Sequence, residues 1–146
     1  MRKNLLRQAC LSALQQILKE YLNEYIRERG LWPEAQKRIS SLKKGHVKGW
    51  LRQYKIVFQE LLGCNWERSP VPLSHFEEIV LARNVIEHEG HITLLEKRRD
   101  PQYRSKYPVS LYSDEMFPEL VGVTEESLRK AMGMVNEFVT WLENNG

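Results

Sequence analysis

Between Phe76 and Ile86 the chain places seven apolar residues, Phe76, Ile79, Val80, Leu81, Ala82, Val85 and Ile86, at spacings that cover more than one side of a helix. A helix apolar on two sides has to be covered on two sides, by its own chain or by a second copy of it. That requirement favours a body of several helices with this one inside. Ser74 followed by Glu77 reads as a capping box, which puts the helix start at 74. Pro70 and Pro72 end whatever precedes it, and Gly90 stops it, so the expected span is 74–89.

The flanking sequence supplies the partners. Residues 2–29 carry one long helical pattern, with Leu6, Cys10, Ala13, Leu14, Ile17, Leu18, Tyr21, Leu22 and Tyr25 expected on one broad face and Gly30 as the stop. Trp32-Pro33 restarts the chain, since proline suits a first helical turn, and predicts a short helix over 33–43. From Val47, the residues Trp50, Leu51, Tyr54, Val57, Phe58, Leu61 and Leu62 mark another amphipathic helix, closed by Gly63. Residues 91–123 lose the helical period and contain Pro101, Pro108 and Pro118; 92–95 and 109–112 are candidate short strands. Thr124 then caps a last helix with Leu128, Ala131, Met132, Val135, Phe138, Val139 and Leu142 as its apolar face. The expected fold is all-α: a single domain, 1–146, built as a bundle of four to five helices with a long irregular connection (about 91–123) before the last one.

A length of 146 residues suffices for a core without staples, and a hydrophobic fraction of 42% with 28% charged residues is that of an ordinary globule. The net charge of +3 permits an anionic partner without demanding one. Cys10 and Cys64, the two cysteines, both sit in apolar patterns; without a secretory signal they are expected to be free, buried thiols in a reducing cytoplasm. Arg7, Gln8, Gln15 and Gln16 interrupt any signal-like core, and no apolar run approaches a membrane span.

Into the apolar 76–86 segment the chain inserts Arg83, Asn84 and, just beyond it, His88. Arg83 continues the Phe76–Ile79–Val80 stripe, while Asn84 and His88, four apart, share a face. A guanidinium on an apolar stripe is expensive unless paired or hydrogen-bonded. It is therefore either a structural ion pair, for example to a glutamate, or a functional group held where water is scarce.

The run Arg83-Asn84-Val85-Ile86-Glu87-His88, followed by Glu89-Gly90, resembles the signature of the HEPN family: an arginine, usually with a polar residue after it, separated from a histidine by four to six residues, and a glycine shortly beyond. The likeness covers the helical architecture in outline and, residue by residue, 83–90; the basic stretch 96–121 departs from the pattern. The resemblance implies a metal-independent endoribonuclease of the toxin or antiviral-defence kind. It also implies a homodimer whose two motifs face one shared cleft, with no cofactor. Some relatives pair with nucleotidyltransferases that act as antitoxins, so an antitoxin or nucleotidyltransferase partner is implied as well.

The residue types suit that chemistry. RNA carries its own nucleophile in the 2′-hydroxyl, so the protein must move protons and stabilise a more negative phosphorane. Histidine titrates near neutrality and serves both proton transfers. Arginine presents a planar fork of donors and keeps its charge. His88 is thus expected as general acid/base, Arg83 as phosphate binder, and Asn84 as the group orienting one or the other. Within the basic run, Lys97, Arg98, Arg99, Tyr103, Arg104 and Lys106 are candidates to follow an RNA backbone, with a solvated loop as the plainer reading. A metal site at His91 with Glu87 or Glu89 lacks a third histidine and an HExxH arrangement. His46 and His75 are expected to be solvated, and Trp32, Trp50, Trp66 and Trp141 to pack. Two other functions compete: a non-catalytic nucleotide- or RNA-binding or partner-docking module of the same fold, and a purely structural bundle that dimerises through 76–86.

Overall fold

In α1 (Arg2–Glu28) the apolar side chains buried in the core among the described ones are Leu11, Leu18, Leu22, Tyr25 and Ile26, a stripe at helical spacing. The structure, a computed structural model, describes residues 2–77, 79–80 and 125–145. The stripe is narrower than the sequence pattern suggests. Cys10 and Ala13 are exposed and Ile17 is 61% exposed. At 3.6 residues per turn these three lie roughly 60–120° around the helix from Tyr25, on the flank away from Ile26. Cys10 is therefore not the buried thiol its apolar neighbours imply.

Gly30 ends the helix in the left-handed region (φ 70°), where a side chain would be strained, and the Leu31 N–H returns to the Ile26 carbonyl at 3.3 Å. α2 (Trp32–Lys44) starts with proline in its first turn and buries Ala35 and Leu42. α3 (Trp50–Leu62) buries Leu51, Gln53, Tyr54, Val57 and Phe58 and packs against α2. Gly63 closes it at φ 63°, with the Cys64 N–H donating to the Phe58 carbonyl at 3.0 Å. Cys64 follows the helix rather than lying in it, and is buried.

A 3-10 turn (Trp66–Arg68) follows, capped by the Asn65 side chain, which accepts from the Glu67 N–H at 3.0 Å. Residues 73–77 and 79–80 are helical. The C-terminal helix (Glu125–Asn145) buries Ala131, Val135, Phe138 and Leu142 and packs on α1; Met132, expected inside, is 53% exposed. The fold is an all-α helical bundle with no strand among the described residues. The candidate strands 92–95 and 109–112, the irregular connection and Thr124 lie outside the described residues.

Five aromatic rings join these elements end to end. Tyr25 of α1 stacks on Phe58 of α3 at 5.4 Å, Phe58 meets Trp66 at 5.2 Å, and Trp66 meets Phe138 edge-on at 5.2 Å. Phe138 in turn takes Phe76 at 4.9 Å, again nearly edge to face. Each ring is at most 5% exposed, so this line is the centre of the core. Two buried polar contacts flank it. The Tyr54 hydroxyl donates to Asn23 Oδ1, and Gln53 Nε2 donates to the Val47 carbonyl at 2.9 Å. No described helix is long and apolar enough to cross a membrane.

Candidate functional site

The approach to the Arg83–His88 run is built residue by residue. Ser69 Oγ accepts from the Val71 N–H at 3.0 Å, and the chain bends through 69–71, with Pro70 and Pro72 keeping this stretch out of the helix. Helix resumes at 73, one residue before the expected start, and the His75 N–H donates to the Pro72 carbonyl at 3.1 Å. Ser74 thus sits inside the first turn rather than capping it. Phe76, Ile79 and Val80 are each at most 5% exposed, as their shared stripe requires. Phe76 is locked edge-on to Phe138, so the C-terminal helix fixes the depth and rotation of this turn.

Glu77 has a different role from the one its spacing to Ser74 predicts. It is 1% exposed, and it lines a cavity of about 550 Å³ formed with Arg52, Lys55 and Ile56 of α3, Trp66 and Leu73. The signal is present in the sequence: Glu77 lies three residues before Val80, on the inward side. At the rim, Lys55 Nζ lies 3.3 Å from Glu67, and Arg38 grips Glu60 through two bonds of 2.6 and 2.9 Å. The Arg38 guanidinium holds the Glu60 carboxyl below the usual carboxylate range. The cavity thus has a polar rim, one buried carboxyl group and apolar walls. None of its described lining residues is a histidine, cysteine or serine.

His75 is half-buried rather than solvated, with Nδ1 3.2 Å from the Met134 sulfur. His46 is exposed, as expected. Of the tryptophans, Trp66 is fully packed; Trp32, Trp50 and Trp141 are half-buried against the core. Burial pushes the Tyr25, Tyr54 and Cys64 groups up from their ordinary values; it does the same to Tyr21, helped by the hydrogen bond Tyr21 donates to Glu143.

Arg83, Asn84 and His88 lie outside the described residues, as do His91 and the basic candidates Lys97, Arg98, Arg99, Tyr103, Arg104 and Lys106. The structure places the turn that leads into the motif, through Val80, and the core that holds that turn. Among the described residues no group of three His, Cys, Asp or Glu side chains is arranged to hold a metal ion. Compared with known protein families, curated proteins and solved structures, the chain gives no significant match.

Proposed function

We propose that the chain is a metal-independent endoribonuclease of HEPN type, working as a homodimer in toxin or antiviral-defence biology. The observation that carries the reading is the Arg83-Asn84-Val85-Ile86-Glu87-His88 spacing, set directly after a segment whose Phe76, Ile79 and Val80 are buried. The all-α bundle is consistent with it. In this mechanism the His88 imidazole takes the proton of the attacking 2′-hydroxyl, and the imidazolium returns a proton to the departing 5′-oxygen. The Arg83 guanidinium binds the scissile phosphate and offsets the charge that builds on it; in a partly dry cleft that charge is worth more to the transition state than in water. Asn84 orients one of the two. Two copies, each supplying one motif, complete the cleft, and an antitoxin or nucleotidyltransferase is the expected neutralising partner.

The test is incubation of labelled RNA with and without EDTA, comparing the natural chain with His88→Ala. Cleavage that survives EDTA and disappears in His88→Ala, with helix content and oligomer size intact, supports the mechanism. Cleavage retained by His88→Ala removes it. RNA binding without cleavage by the natural chain would favour the non-catalytic module.

A further inference from the structure

Charge is segregated along this chain in a way its overall +3 conceals. Residues 35–59 contain seven lysines and arginines (Lys37, Arg38, Lys43, Lys44, Lys48, Arg52 and Lys55) and no aspartate or glutamate, so the rest of the chain is net negative by four. The fold gathers these residues on one unit, the helical hairpin of α2 and α3. Arg38 and Lys55 are engaged by Glu60 and Glu67. Lys37, Lys43, Lys44 and Lys48 are exposed, and no ion pair among the described residues involves them.

Several exposed cations elsewhere pair on their own helices: Arg27 with Glu24, Arg129 with Glu125, Lys130 with Glu126. The hairpin's four exposed lysines make no such pair among the described residues. Two of its lysines have a structural reason, because Lys43 and Lys44 lie in the last turn of α2, where the helix dipole favours cations. Lys48 has no such reason. It precedes the start of α3, the positive end of its dipole, and α3 has no acidic residue in its first turn. Fold stability alone does not account for a lysine there.

The tip is also held rigidly. The Gly45 N–H donates to Ser41 and the Val47 N–H to Leu42, each at 2.9 Å, and the buried Gln53 side chain anchors the Val47 carbonyl from inside. Leu42 and Leu51 are buried beneath it. At the apex, His46 adopts a left-handed conformation (φ 67°), uncommon for a residue with a side chain. A surface already ordered loses little freedom when it binds.

We infer that the α2–α3 hairpin tip, through Lys43, Lys44 and Lys48, is a docking surface for the phosphodiester backbone of RNA. The inference rests on the ribonuclease reading for the choice of RNA as the polyanion; the surface itself rests on the charge segregation. An anionic membrane fits less well. The exposed large apolar side chains among the described residues, Ile17 and Met132, are on other helices, which leaves the tip nothing to insert into lipid.

The test uses the full chain carrying His88→Ala, in EDTA, with a fluorescent 20-nucleotide RNA followed by anisotropy from 50 to 300 mM salt. Lys44→Gln with Lys48→Gln is compared with Arg129→Gln and Lys130→Gln, which remove the same charge elsewhere. Two lost phosphate contacts should lower the slope of log K against log salt by about 1.4 and weaken binding about tenfold at 100 mM. The control pair should change neither. Equal losses from both pairs, or none from the tip pair, overturn the surface, as does binding to phosphatidylserine vesicles with none to RNA. Tip-dependent binding beside a natural chain that does not cut RNA removes the catalytic reading alone. Cutting without tip dependence removes the surface alone.

Discussion

The edge-on contact of Phe76 with Phe138 is what ties the segment entering the motif to the C-terminal helix, and its strength can be measured directly. Phe76 is 3% exposed and Phe138 2%, so each loses nearly all its water contact on folding. Truncating either to alanine removes the transfer free energy of a buried phenyl ring and leaves a hole in a close-packed neighbourhood. Together these cost about 3–5 kcal/mol. For a domain whose total stability is of order 5–15 kcal/mol, that is a large fraction, and it corresponds to a fall in Tm of about 10–15 °C. The ring pair itself, at 4.9 Å between centroids, adds about 0.5–1.5 kcal/mol beyond area. A double-mutant cycle with Phe76→Leu and Phe138→Leu isolates that coupling while limiting the cavity. Urea denaturation followed by far-UV circular dichroism supplies all four stabilities. Coupling indistinguishable from zero, together with Phe76→Ala costing under about 1 kcal/mol, would show that the segment is not anchored as described.

Two more outcomes follow from burial. A thiol reagent should modify the exposed Cys10 rapidly in the native protein, while Cys64, buried and with its thiol pushed up by burial, should react only on unfolding; two fast thiols refute this packing. Tyr21, Tyr25 and Tyr54 are all held above their ordinary value of 10.0. Their contribution to stability is fully present below pH 10 and is lost as the pH rises toward the folded values, because only the unfolded chain ionises there. Urea midpoints should therefore fall above pH 10, by up to about 1.4 kcal/mol per pH unit for each tyrosine. Tyr54→Phe should reduce that fall, while costing about 1–3 kcal/mol below pH 10 by leaving Asn23 Oδ1 without its donor. An unchanged alkaline slope in Tyr54→Phe would contradict the account.

Helix existence and most boundaries were legible in the sequence because glycine and proline punctuate it at points where backbone geometry leaves little choice: Gly30, Pro33 and Gly63 each act where expected. The inner face of α1 was less legible. Its apolar residues span a wide arc, and which part turns inward is decided by the partners on other helices, so Ile26 is buried while Ile17 faces water. The Ser74–Glu77 pair followed a sound local rule and was overridden, since Glu77 is drawn inward with the Val80 side of the helix. The candidate site is an expectation from residue chemistry alone, since Arg83, Asn84 and His88 lie outside the described residues. Arg83 and His88 are recognisable by type and spacing, and nothing local states what they face. The basic hairpin is masked in bulk numbers for a different reason: net charge averages over the chain, and only the packing of α2 on α3 makes the short connection carrying Lys43, Lys44 and Lys48 a single tip.

The most direct measurement of the central claim is the chemistry of the cut ends. RNA incubated with the metal-stripped protein in EDTA should yield fragments ending in a 2′,3′-cyclic phosphate, each followed by a fragment beginning with a 5′-hydroxyl. Those are the ends left by attack of the 2′-oxygen with proton transfer at His88. Fragments carrying a 5′-phosphate and a free 3′-hydroxyl, or intact RNA, would contradict it.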